Sequence, residues 1–197
     1  MIFYIHGFNS HSTGHNKIKI LSKILGEEVY PLNYASKDKY EENILTLKDQ
    51  INKFNSTTRG NSIGGFFKNT FIGTSLGAFY SAMLAKEMND TAVLVNPAIE
   101  PGKTISKYVG PQVNFKTGEK YEFKQAVADS YPEKILIPDN TLLLLDSEDE
   151  VIDSMDTKDK ISKKVTRTVI YNGGAHRFEH WEESTKDIKN IIRFNKC

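Results

Sequence analysis

The order of elements along this 197-residue chain predicts an α/β fold built on a parallel sheet. Three observations carry that expectation. Short apolar runs alternate with stretches of helical periodicity, the arrangement that produces strand–helix–strand units with right-handed crossovers. Several of those runs, Ala92-Val93-Leu94-Val95 and Leu142-Leu143-Leu144-Leu145, are apolar without a break, as strands covered on both faces require. The pentapeptide Gly73-Thr74-Ser75-Leu76-Gly77 stands between the strand-like Thr70-Phe71-Ile72 and a helix-like run, so a sharp strand-to-helix turn is expected there.

Taken in order, strands are expected at 2–5, 28–32, 69–73, 92–96, 141–145 and 166–171. Helices are expected between them. Residues 17–25 carry apolar side chains at 18, 20, 21, 24 and 25, and residues 40–54 carry them at 40, 44, 45, 47, 51 and 54. A helix over 78–88 follows the pentapeptide, a weaker one covers 155–163, and 181–194 closes the chain with apolar residues at 188, 191, 192 and 194. Two stretches fit less well. Residues 55–65 are polar and glycine-rich and are expected as a surface loop, with Gly64-Gly65-Phe66-Phe67 folding back on the core. Residues 100–138 show no clear strand, carry Tyr108, Phe115, Tyr121, Phe123 and Tyr131, and are expected as a small excursion over the carboxyl edge of the sheet.

Composition bounds the function. The formal net charge is +1, and no basic stripe with interleaved aromatics is present, which argues against a nucleic-acid partner. No apolar run reaches the ~18–20 residues of a membrane span. The opening Met1-Ile2-Phe3-Tyr4-Ile5 is short and lacks basic residues, so it is expected as a strand and not as a signal peptide. The one cysteine, Cys197, cannot form an internal disulfide. A single cytoplasmic domain over 1–197 is the expectation, with oligomeric state left open.

The pentapeptide reads Gly-x-Ser-x-Gly, the pattern of a nucleophile elbow. Small residues at Gly73 and Gly77 let strand and helix approach closely around Ser75. The turn raises a serine hydroxyl towards a base and presents N–H groups at a helix start, where negative charge is favoured. The bland alternative is that Ser75 only caps the helix. A serine needs a base and the base an orienting acid, and in α/β hydrolases these follow in the order Ser, acid, His. After the fifth strand comes Asp146-Ser147-Glu148-Asp149-Glu150-Val151, and Asp149, shortly before Val151, fits the superfamily pattern. Glu150 and Asp146 are the alternatives. After the last strand comes Asn172-Gly173-Gly174-Ala175-His176, a tight turn ending on a candidate base, with His180 the competitor. An oxyanion hole needs two N–H donors. One is expected from Leu76. The other is expected from Phe8, in the loop His6-Gly7-Phe8-Asn9-Ser10, with His6 bracing the loop and Gly7 allowing its backbone angles.

The chain resembles the small single-domain α/β hydrolases of the YqiA-like bacterial esterase type. The resemblance rests on Tyr4-Ile5-His6-Gly7-Phe8-Asn9-Ser10, the elbow, Val95-Asn96-Pro97-Ala98, Thr117-Gly118-Glu119-Lys120-Tyr121, Asp149-Glu150-Val151 and Gly173-Gly174-Ala175-His176-Arg177-Phe178, in that order. It implies hydrolysis of short-chain carboxylic esters. It further implies a compact α/β-hydrolase sheet of about six parallel strands in chain order 2-1-3-4-5-6, helices on both faces and little or no cap. Two departures stand out: Glu148 where a glycine commonly precedes the acid, and a longer stretch over 61–67. The expected reaction passes through an acyl-serine on Ser75, with His176 as base, Asp149 as orienting acid and no metal or cofactor. A thioesterase or acyltransferase would use the same residues on another leaving group or acceptor, and a non-catalytic scaffold would leave them idle.

Overall fold

A computed structural model describes residues 1–12, 16–59 and 68–194. Six strands form one parallel sheet: β1 (Ile2–Ile5), β2 (Val29–Leu32), β3 (Thr70–Thr74), β4 (Thr91–Val95), β7 (Thr141–Asp146) and β8 (Arg167–Tyr171). Their order is β2-β1-β3-β4-β7-β8, which is the expected 2-1-3-4-5-6 when the sheet's own strands are counted. β1 lies between its two neighbours, with Ile2 beside both Val29 and Thr70. The carboxyl ends of β1, β3, β7 and β8 therefore share one edge of the sheet.

Both faces are covered, which is why these strands read as apolar runs rather than as alternations. One face carries Phe3, Ile5, Phe71, Leu94, Leu143 and Leu145, packed against α2 (Tyr40–Arg59) and α3 (Leu76–Met88) through Leu47, Ile51 and Phe79. The other carries Ile2, Tyr4, Ile72, Val93, Leu142 and Leu144, packed against α1 (Asn16–Leu25) and α7 (Thr185–Phe194) through Leu21, Leu25, Ile188, Ile191 and Ile192. The three isoleucines of α7 recur at helical spacing, so a single stripe of an otherwise polar helix is buried. α6 (Ser154–Ile161) is capped by Asp153, whose carboxylate accepts from Met155 N–H and Asp156 N–H, and it runs on into a 3-10 turn at Ser162–Lys164.

Three expectations are corrected. α2 continues to Arg59, past the expected end at 54, over a stretch with no apolar residue to mark it, where the Ser56 and Thr57 hydroxyls donate to the Lys53 carbonyl. Residues 60–67 and Cys197 lie outside the described residues. α7 begins at Thr185 and not at 181; turns occupy 181–184, where Ser184 Oγ donates to the Trp181 carbonyl.

The third correction concerns 100–138. This stretch holds α4 (Pro101–Ser106), an antiparallel hairpin of β5 (Gly110–Val113) and β6 (Lys120–Phe123), and α5 (Gln125–Ala128). The hairpin turn is set by Asn114, whose Oδ1 accepts from Lys116 N–H and Thr117 N–H, and by Gly118 at φ +72°. The hairpin docks on the loop after β1. Asn9 Nδ2 donates to the Val113 carbonyl at 2.8 Å, Phe115 N–H donates to the Asn9 carbonyl at 3.0 Å, and Tyr121 Oη donates to Asn9 Oδ1 at 3.1 Å. The excursion over the carboxyl edge thus contains a two-stranded hairpin between two short helices, where no strand was expected.

Candidate active site

Ser75 is the single residue between β3 and α3. Its φ of 55° and ψ of −121° are unfavourable for a residue with a Cβ, a strain of about 1–3 kcal/mol. The surroundings impose it. Ser75 N–H donates to the Val95 carbonyl at 3.0 Å, and the Ser75 carbonyl accepts from Ala78 N–H at 3.0 Å and Ala98 N–H at 3.2 Å. The flanking glycines are required by contact and not by φ. A Cβ on Gly73 would overlap the Gly77 carbonyl and Ser81 Oγ, and one on Gly77 would overlap the carbonyls of Ile5 and His6. Ser75 occupies the N-cap position of α3, yet its side chain makes no capping hydrogen bond. The bland reading of Ser75 as a helix cap is therefore not what holds the hydroxyl.

The loop after β1 lies against the elbow: a Cβ on Gly7 would stand 3.3 Å from Ser75 Cβ. His6 is fully buried and stacks on Tyr34 with centroids 4.4 Å apart. Its Nδ1–H donates to the Gly7 carbonyl at 2.8 Å, and its Nε2 accepts from Tyr34 N–H at 3.5 Å. Both ring nitrogens are thereby occupied in fixing the loop. Phe8 is held between Tyr108, stacked at 5.2 Å, and Phe123, edge-on at 5.0 Å. Leu76 is buried at the head of α3, where the first N–H groups have no intrahelical partner.

The structure sorts the carboxylates after β7. Asp149 Oδ1 accepts from Val151 N–H and Ile152 N–H, each at 2.8 Å, and Asp149 Oδ2 accepts from His176 Nδ1–H at 2.8 Å. The Asp149 side chain is 1% exposed, that of His176 20%. Glu150 instead takes the backbone N–H of His176 at 3.0 Å, and that hydrogen bond holds its carboxyl below the usual range. Asp146 is wholly buried and accepts from His180 Nδ1–H at 2.7 Å. Burial raises the Asp146 carboxyl, and the hydrogen bonds from His180 and Asn96 oppose that rise. His180, the competing base, is thus engaged by a different acid from His176. The turn between β8 and His176 needs glycine twice, with φ of 82° at Gly173 and 75° at Gly174.

Ser75, Gly7, Phe8 and His176 line one cavity of about 540 Å³ at the carboxyl edge of the sheet, together with Lys17, Tyr108, Phe115 and Arg177. Leu76, next to Ser75, is fully buried and does not line it. Two contributions go beyond the sequence reading. Asn96, at φ 44°, takes Asp146 N–H on its Oδ1 at 2.9 Å and donates to the Ala175 carbonyl at 3.3 Å, tying β7 to the histidine turn. Its place at the end of a strand was legible, its two-sided bonding was not. Lys17 enters the cavity wall from α1, for which the sequence offers no signal. Among the described residues, no group of three or more His, Cys, Asp or Glu is arranged to hold a metal ion, and no helix is long and apolar enough to cross a membrane.

Comparison with solved structures shows the α/β-hydrolase fold. Est1E from Butyrivibrio proteoclasticus superposes with a TM-score of 0.71 at 15% identity, covering 99% of this chain and 87% of that one. A monoacylglycerol lipase from Paleococcus ferrophilus gives 0.65 at 16% identity, covering 98% of this chain and 94% of that one. A curated relative, a UPF0227 protein from Vibrio campbellii, is 23% identical over 193 residues, 96% of this chain and 99% of that protein. Residues 1–195 match the family described as "Uncharacterised protein family (UPF0227)", and the chain belongs to that family.

Proposed function

We propose that this protein is a serine hydrolase that cleaves small carboxylic esters through an acyl-serine intermediate. The observation that carries the reading is the Asp149–His176 hydrogen bond at 2.8 Å on a histidine that shares its cavity with a strained, uncapped Ser75. A carboxylate facing Nδ1 keeps the proton on that nitrogen and leaves the Nε2 lone pair as the base. Ser75 Oγ attacks the ester carbonyl as Nε2 takes its proton. The N–H groups of Phe8 and Leu76 stabilise the oxyanion. His176 then protonates the leaving alkoxide, which departs as an alcohol. Water repeats the sequence on the acyl-serine, giving the acid and restoring Ser75. An esterase and a monoacylglycerol lipase among the structural neighbours support the class of reaction.

The excursion over the cavity consists of short elements, with little room for a lid, so small, water-soluble acyl groups are expected. A series of p-nitrophenyl esters tests this. Activity highest on the shorter chains and absent in Ser75→Ala is the expected result. Best turnover of long chains, or turnover that survives Ser75→Ala, would overturn it.

A further inference from the structure

The candidate cavity is unbalanced in charge. Among the described residues that line it, Lys17, Lys116 and Arg177 are basic, and none is acidic. The chain as a whole carries only +1, so the excess is local. Lys116 and Arg177 are exposed, where water screens them. Lys17 is different. It is half-buried on the first turn of α1, with its ammonium 5.8 Å from the centroid of the Trp181 ring. Lys17 forms no ion pair among the described residues. Asp146, the acid whose charge attracts it, is already engaged by His180 and Asn96, and Arg177 repels it. Lost hydration outweighs the attraction, and together with Arg177 it pulls the ammonium down to about 8.

A half-desolvated cation without a counter-ion is costly, and an anion entering the cavity supplies the missing partner. The same cavity offers apolar surface from Phe8, Tyr108 and Phe115 for the rest of a substrate. We infer that the cavity selects esters that carry an anionic group, a carboxylate or a phosphate, and that Lys17 is the residue that selects them. This rests on the serine-hydrolase reading and names its substrate class.

Two matched pairs of esters test it. One pair places the charge on the acyl arm, p-nitrophenyl hydrogen adipate against p-nitrophenyl hexanoate. The other places it on the leaving arm, para-acetoxybenzoate against its methyl ester. Rates are normalised to alkaline hydrolysis of each compound. The anionic member of at least one pair is expected to have a kcat/KM about tenfold higher, the worth of one hydrogen bond to a charged group. The responding pair identifies which arm carries the charge. That preference is expected to fall towards unity in Lys17→Met, to persist in Lys17→Arg, and to shrink with ionic strength in the wild type. Equal or better turnover of both neutral members would overturn the inference while leaving the hydrolase reading intact. So would a preference that survives both Lys17→Met and high salt. Failure to turn over any of the four esters would overturn the hydrolase reading and this inference with it.

Discussion

Gly174 rests directly on Asp146, so closely that a Cβ on the glycine would overlap the carboxyl carbon of the buried aspartate. Two residues later the same turn delivers His176. The position of the candidate base is therefore set from below, by an acid that does not itself touch it. Asn96 reinforces the arrangement by bonding both Asp146 N–H and the Ala175 carbonyl.

Gly173 and Gly174 both lie at positive φ, but only Gly174 is crowded, since no atom lies within 4 Å of a Cβ built on Gly173. Gly173→Ala is expected to cost about 1–2 kcal/mol, the backbone term alone. Gly174→Ala is expected to cost about 3–4 kcal/mol, because Asp146 must also move. Urea denaturation of the two variants checks this, and equal losses would show that the contact with Asp146 is slack.

Three carboxylates competed for the role of acid in the sequence, and the geometry separates them. Asp149→Asn presents the wrong tautomer to Ser75 and is expected to lower kcat by about 10³–10⁴. Glu150→Gln keeps an acceptor for His176 N–H at 3.0 Å and is expected to cost about tenfold or less. Steady-state kinetics on both variants, with a p-nitrophenyl ester, decide it. The reverse ranking would move the acid to Glu150.

Most of the sheet was legible because its strands are buried on both faces and therefore announce themselves as apolar runs. The elbow was legible because Gly73 and Gly77 are demanded by backbone contacts that no other residue tolerates. The hairpin of β5 and β6 was not. Its strands are half exposed, its residues mostly polar or aromatic, and its register depends on Asn9, about a hundred positions earlier. The division of labour among Asp146, Asp149 and Glu150 was also hidden. These residues lie within one turn, and only the path of the backbone decides which carboxylate meets the His176 ring, which its N–H and which His180. Lys17 reads as an ordinary surface lysine of an amphipathic helix until α1 is placed beside the cavity.

The strain at Ser75 predicts a trade between stability and function. Ser75→Gly removes the hydroxyl and also the Cβ that disfavours φ 55°. It is expected to raise the free energy of unfolding by about 1 kcal/mol relative to Ser75→Ala, which keeps the strain. Thermal or chemical denaturation of the two inactive variants measures it, and an equally stable pair would mean the conformation is not strained.

Lys17 carries a related signature. Its pKa is depressed in the folded chain to about 8 from an ordinary 10.5, so the folded state binds fewer protons there than the unfolded one. Its contribution to stability is present above 10.5 and is lost as pH falls through about 8. Lys17→Met is therefore expected to stabilise the protein near neutral pH by ~1 kcal/mol, a gain that fades as pH rises from about 8 and is gone above 10.5. Denaturation at several pH values reads this directly. The preference for anionic esters is expected to decline over the same rise through about 8 as the ammonium, between Arg177 and Asp146, loses its charge.

The central claim is that Ser75 is a nucleophile activated by His176 and Asp149. Fluorophosphonate labelling followed by intact mass tests it without knowledge of the substrate. One adduct is expected on the wild-type protein, none on Ser75→Ala, and slowed labelling of His176→Ala and Asp149→Asn. A folded wild-type protein that takes no adduct, or takes one that Ser75→Ala retains, would contradict it.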